Sequence, residues 1–264
     1  MRMSRVVSVL SALILTSVPA VTGIGPAHSA GPGYVALGDS YSSGLGAGSY
    51  DSASGDCKRS TRAYPALWAA AHAPSSFAFT ACSGARTSDV VNGQLGPVNA
   101  STGLISISIG GNDAGFADVM TTCVLHSEST CLSRVAEARA FVDDNLLGLL
   151  DATYDAIRAK GPRAHVVVLG YPHFYQVPGD CLIGLTDASR RAVNAAADDL
   201  DGVIAKGAAD HGFTFADVRG GFTGHELCSG LPWLHSLTLP VGESYHPTAS
   251  GQSGGYLPPF SAAT

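Results

Sequence analysis

The amino-acid sequence predicts an α/β fold, with a mainly parallel sheet covered by helices on both faces. Three observations carry this. Short apolar runs of strand character alternate with longer stretches of helical character, most of the runs end on a glycine-containing turn, and no repeat or low-complexity linker divides the 264 residues. Strands buried on both faces read as near-continuous apolar runs, and strand–helix alternation is the pattern of such sheets.

Taken in order, residues 33–37 form an apolar run that stops at Gly38-Asp39-Ser40. The Gly/Ser-rich stretch 42–54 reads as a loop. Residues 64–72 are Ala-rich and helical, with Pro65 in the first turn, where its missing N–H costs nothing. A second strand is expected over 77–81. The clearest strand, 104–109, is β-branched and alternating, and ends at Gly110-Gly111. Residues 132–160 turn helical, with Phe141, Leu146, Leu149, Leu150 and Ile157 as apolar positions, until Gly161-Pro162. A strand follows at 165–169. A long amphipathic helix spans 186–211, with Asp187 and Ser189 as first-turn or capping residues, and a last strand covers 213–218. The tail is a Pro- and Gly-rich loop with a helix after Pro247.

The N-terminus has a different character. Arg2 and Arg5 precede an apolar run over 6–21, Gly25-Pro26 breaks it, and Ala27, Ser29 and Ala30 are small. This is the layout of a cleaved secretory signal peptide over 1–30, leaving one domain over 31–264. The run is shorter than the ~20 apolar residues that span a bilayer, so no stable membrane anchoring is expected. Removing Arg2 and Arg5 leaves 13 basic against 21 acidic residues, a formal charge of −8. Such a surface is unsuited to nucleic acid. All six cysteines follow residue 30, and an even number in an exported chain points to three disulfides. Nearest-neighbour order gives Cys57–Cys82, Cys123–Cys131 and Cys181–Cys228, one of many pairings open to six cysteines. No C-x-x-C occurs and His225 with Cys228 is the one compact metal-like pair, so no metal is expected.

In parallel sheets ligands sit beyond the carboxyl ends of the strands. There the chain places Gly38-Asp39-Ser40, Cys82-Ser83-Gly84, Gly110-Gly111-Asn112-Asp113 and Gly170-Tyr171-Pro172. A serine hydroxyl needs a base to become a nucleophile, and an acyl-transfer site needs neutral donors aimed at the developing oxyanion. Ser40 suits the first role; backbone N–H groups of Ser40 and Gly84 with the Asn112 amide suit the second. Of nine histidines, His246 is held by a rigid His246-Pro247 step in a late loop and can shuttle the proton. Gly251-Gln252-Ser253-Gly254-Gly255 matches the G-x-S-x-G nucleophile elbow, but no strand precedes it; it reads as a flexible surface loop. The segments 171–175 and 231–237 are unusually apolar for loops, suited either to lining an acyl-chain groove or to packing on the core.

Together these residues resemble the GDSL-type hydrolases, also called the SGNH family, with blocks at 38–44, Gly84, 110–113 and His246-Pro247. Within it the chain is similar to secreted actinobacterial lipases. The resemblance implies a three-layer α/β/α, flavodoxin-like fold, three disulfides, and a cofactor-free serine esterase acting on acylglycerols and related lipid esters; a monomer is expected. One position departs from the pattern: where the family usually has Asp three residues before its histidine, this chain has Glu243. Either Glu243 or, by analogy with similar members, the backbone carbonyl of Ser244 would orient His246. Phospholipids or O-acetylated carbohydrate are alternative substrates for the same machinery, and a non-catalytic extracellular binding domain is the alternative of another class.

Overall fold

The computed structural model describes residues 32–181 and 184–264; the expected signal segment lies outside them. The elements in chain order are β1 (Gly33–Gly38), α1 (Ser40–Ser43), α2 (Tyr64–His72), β2 (Phe77–Phe79), α3 (Thr87–Asp89), β3 (Thr102–Ser108), α4 (Phe116–Leu125), α5 (Glu128–Phe141), α6 (Leu147–Lys160), β4 (His165–Leu169), α7 (Asp187–Asp210), β5 (Thr214–Ala216), α8 (Arg219–Phe222) and α9 (Leu257–Ala262). All strand pairs are parallel, in the order β2-β1-β3-β4-β5. This is the flavodoxin-like winding. Its order reverses at β1 and β3, so the chain leaves those two strands in opposite directions and a crevice opens between them.

The central strands are buried on both faces, as their apolar runs require. The edge strands β2 and β5 are shorter than the sequence implies, three residues each. At β2 the regular ladder is interrupted where Thr80 and Ala81 both donate to the Ala36 carbonyl, and a single further bond, from the Cys82 N–H to the Gly38 carbonyl at 2.9 Å, follows. The helical stretch expected over 132–160 begins earlier. Ser127 caps it by accepting from the Thr130 N–H, and a π-helical segment, Val142–Leu146, joins α5 to α6. For α7, the cap is Thr186, whose side chain accepts from the Ser189 N–H, with Asp187 in the first turn.

Three segments differ in kind from the sequence reading. Residues 40–43, placed in part in a loop, form the single turn α1, capped by the Asp39 side chain. Residues 116–125, left unassigned, form α4, whose Val119, Met120 and Cys123 are buried. The G-x-S-x-G stretch is a π-helical segment, Gly251–Tyr256, rather than a flexible loop; it buries Gly251, Gln252, Gly255 and Tyr256 and leaves Ser253 at the surface. A Cβ at Gly254 would fall inside the Trp233 indole, and one at Gly255 inside the Phe222 ring. Gln252 is fully buried and ties the Tyr64 N–H to the Tyr41 carbonyl.

Disulfides join Cys57 to Cys82, Cys123 to Cys131 and Cys181 to Cys228. The first fastens the segment after α1 to the end of β2, the second fastens α4 to α5, and the third fastens the loops that follow β4 and α8. Among the described residues no helix is long and apolar enough to cross a membrane.

Candidate active site

The turns after β1, β2 and β3 meet at the crevice. β1 ends on Gly38 at φ 120°, where a Cβ would press on the Ser108 carbonyl at 2.5 Å. The side chain of Gln94 clamps both backbone polar groups of Gly38. Asp39 then donates its N–H to the Ser108 carbonyl at 2.9 Å, and Ser40 starts α1. After β2 the disulfide-linked Cys82 leads into Gly84 at φ 78°. After β3, Gly110 and Gly111 turn the chain so that the Asn112 amide donates to the Ala85 carbonyl at 3.0 Å, beside Gly84. The backbone N–H groups of Ser40 and Gly84 find no acceptor among the described residues. Ser40, Gly84 and Asn112 are thus brought to one place.

His246 reaches the same place from the other end of the chain. Its Nε2 lies 2.7 Å from Ser40 Oγ, and its Nδ1 lies 3.0 Å from the Ser244 carbonyl oxygen. A carbonyl only accepts, so Nδ1 carries the proton and Nε2 is left to accept from the Ser40 hydroxyl. The loop 235–246 is closed on itself: Tyr245 donates to the His235 carbonyl at 2.8 Å and His235 to the His246 carbonyl at 2.9 Å. Of the two alternatives for orienting the imidazole, the Ser244 carbonyl is in contact with Nδ1, whereas the Glu243 carboxylate accepts from the Tyr50 hydroxyl at 2.8 Å. Tyr50 in turn accepts from the Gly46 N–H, so Glu243 secures the 46–50 loop.

Burial dominates the titration of the ring. Packed against Tyr41 and Phe116, His246 is pushed down to about 4 by desolvation, opposed by the Ser244 carbonyl and aided by nearby His235. The ring is therefore held predominantly neutral, and able to accept a proton, at neutral pH. In an NMR titration its carbon-bound ring protons are expected to move with a midpoint near pH 4. A midpoint near the ordinary ~6.5 would contradict this.

Asp39 and Tyr171 are the site residues that sequence reasoning passed over. Asp39 is buried and accepts from the Tyr41 N–H at 3.0 Å, the Ser108 hydroxyl at 2.7 Å and the Tyr171 hydroxyl. Tyr171 accepts from the Gly111 N–H at 3.2 Å. One carboxylate therefore braces both the start of α1 and the turn that carries Asn112. Burial pushes Asp39 up to about 6 in spite of these three donors. An acid directly before the serine was the available signal. Its reach to Tyr171, 132 positions away, was not.

Two hollows adjoin Ser40. A narrow apolar pocket of about 60 Å³ runs between α4, α5 and α7, past Phe116, Met120, Val142, Phe174 and Leu200. A wider cleft of about 440 Å³ lies between α4 and the loop 235–246, with Gly84, Leu125, Leu237 and Val241 on its walls. From the segment 171–175, Tyr171 and Phe174 line the pocket. From 231–237, Leu237 reaches the cleft, while Trp233 stacks on His225 and Leu234 is buried, so that part is packing. The metal-like pair of the sequence is likewise committed elsewhere: Cys228 is in a disulfide and His225 holds the Leu231 carbonyl.

Comparison with known proteins agrees with this arrangement. Residues 36–253 match the model of the GDSL-like Lipase/Acylhydrolase family. The chain is 65% identical over 268 residues to Lipase 1 of Streptomyces coelicolor, covering the whole of both chains. The crystal structure of an extracellular lipase from Streptomyces rimosus superposes with a TM-score of 0.87 at 66% identity, over 88% of this chain and 100% of that one. That of phospholipase A1 from Streptomyces albidoflavus gives 0.87 at 63% identity, over 89% and 100%. A family match across most of the chain, joined to full-length identity of this order and to the convergence of the family's four blocks on one crevice, places this protein in the GDSL-like lipase/acylhydrolase family.

Proposed function

We propose that this protein is a secreted serine esterase that hydrolyses the carboxylic esters of acylglycerols and related lipids through an acyl-enzyme on Ser40. The observation that carries the reading is the Ser40 Oγ–His246 Nε2 contact of 2.7 Å facing unengaged donors. His246 takes the Ser40 proton as Oγ attacks the ester carbon. The carbonyl oxygen becomes negative within reach of the N–H groups of Ser40 and Gly84 and the second Asn112 amide hydrogen. The imidazolium then returns the proton to the departing alcohol, and a water repeats the sequence to free the acid.

The pocket beside Ser40 is lined by apolar side chains such as Phe116, Met120 and Leu200, and the open cleft offers room for the alcohol; this apolar lining favours lipid esters over acetylated carbohydrate. Likeness to a phospholipase A1 supports phospholipid esters as a second substrate class. Likeness to an extracellular lipase and the signal-like residues 1–30 support secretion, with 31–264 as the working unit.

A panel of p-nitrophenyl esters, triacylglycerols and phospholipids, with Ser40→Ala as blank, tests the reading. Long-chain esters are expected to be cleaved, and cleavage that persists in the blank would overturn it. The orienting role is tested separately. Glu243→Ala is expected to keep kcat within about tenfold of the parent, because its carboxylate touches Tyr50 rather than the imidazole. A loss equal to that of His246→Ala would restore Glu243 as the acid.

A further inference from the structure

The rim of the open cleft has an unusual composition. In the loop 235–246, residues 236–242 carry no charged side chain, and three of them are exposed aliphatics: Leu237 at 61%, Leu239 at 89% and Val241 at 66% of full exposure. Across the cleft, Leu125 ends α4 at 70% exposure. A lone exposed leucine needs no explanation. Leu125, Leu237 and Val241 line the cleft, and Leu239, the most exposed of the four, stands between the latter two in the loop; together they form a patch, and such patches mark contact surfaces.

The loop cannot fold these side chains inward, because its interior is occupied by its own hydrogen bonds. The Ser244 hydroxyl accepts from the Thr238 N–H at 3.0 Å, and the N–H groups of Glu243 and Ser244 donate to the Pro240 and Val241 carbonyls. The same loop presents Ser244 and His246 at its base. Its aliphatic tip is thereby fixed at the mouth through which a substrate reaches Ser40.

We infer that this rim is a docking surface for a lipid–water interface, with Leu239 as its outermost anchor. The inference rests on reading the site as a lipid esterase, since the patch is continuous with the cleft that would receive the lipid. An uncharged lip on a mature chain of formal charge −8 (13 basic against 21 acidic residues) fits a zwitterionic lipid surface better than an anionic one, which would repel the whole molecule.

The test uses the full mature chain in a Ser40→Ala background, so that lipid is not consumed, and sedimentation with phosphatidylcholine vesicles. Leu239→Asp is expected to lower the partition coefficient about tenfold or more, and Leu239→Ile to leave it within about twofold. With Ser40 restored, Leu239→Asp is expected to cleave monomeric p-nitrophenyl butyrate as fast as the parent while losing activity on vesicles and emulsions. Equal partitioning of Leu239→Asp and parent, no partitioning by the parent, or equal loss on the soluble ester would overturn the inference. If the parent cleaves no ester at all, the catalytic reading fails, and the partition measurement still decides whether the rim binds lipid.

Discussion

Replacing Ser40 by alanine is expected to lower kcat on the order of 10⁴-fold or more, and His246→Ala by a similar factor. On the proposed reading the two side chains form one device: without the hydroxyl no acyl-enzyme would form, and without the imidazole the hydroxyl would keep its proton at neutral pH. Parts that act as a unit are not additive, so the double variant is expected to be no slower than the worse single one. Some rate above that in water remains, because the donors at Gly84 and Asn112 are untouched. Ser40→Ala is also expected to abolish labelling by an organophosphonate, with His246→Ala slowing it strongly. A Ser40→Ala enzyme retaining more than about a hundredth of the parental kcat would rule out Ser40 as nucleophile.

Asn112→Ala is expected to lower kcat by about 10²–10³, or about 2.7–4 kcal/mol of transition-state stabilisation, with little change in KM. The amide is a donor that matters once the oxygen carries charge, so ground-state binding should not depend on it. A second consequence follows from the bond of Asn112 to the Ala85 carbonyl at 3.0 Å. Alanine leaves that carbonyl, next to Gly84, without its partner, and thermal stability should fall modestly as well. Measuring Tm beside kcat separates the two. A raised KM at unchanged kcat would place Asn112 in substrate binding instead.

The sheet was legible because parallel strands buried on both faces leave unbroken apolar runs such as 104–109. Helix α4 was not. It follows a glycine-rich turn and is rich in Thr and Val, so its local preference is weak, and it is held by contact with α5 and by the Cys123–Cys131 link. In the site, Ser40, Gly84 and Asn112 could be read because each follows a strand, and strand ends share one edge. His246 had no such address and rested on family likeness. The brace of Asp39 and Tyr171, and the engagement of Glu243 by Tyr50, are meetings between distant segments that no local pattern encodes.

The segment Gly251–Tyr256 has a consequence for reading patterns in other chains. In a nucleophile elbow the glycines exist because the serine's backbone is forced into a tight strand-to-helix corner. Here a Cβ at Gly251 would meet the Trp233 carbonyl oxygen at 2.5 Å, one at Gly254 the Trp233 indole at 2.4 Å and one at Gly255 the Phe222 ring at 2.2 Å, so none of the three has room for a methyl group. A glycine motif records where side-chain atoms are forbidden, and aromatic rings forbid them as firmly as a catalytic turn does. Pattern matching alone would have assigned the chemistry to Ser253, 213 positions from the serine that meets a histidine.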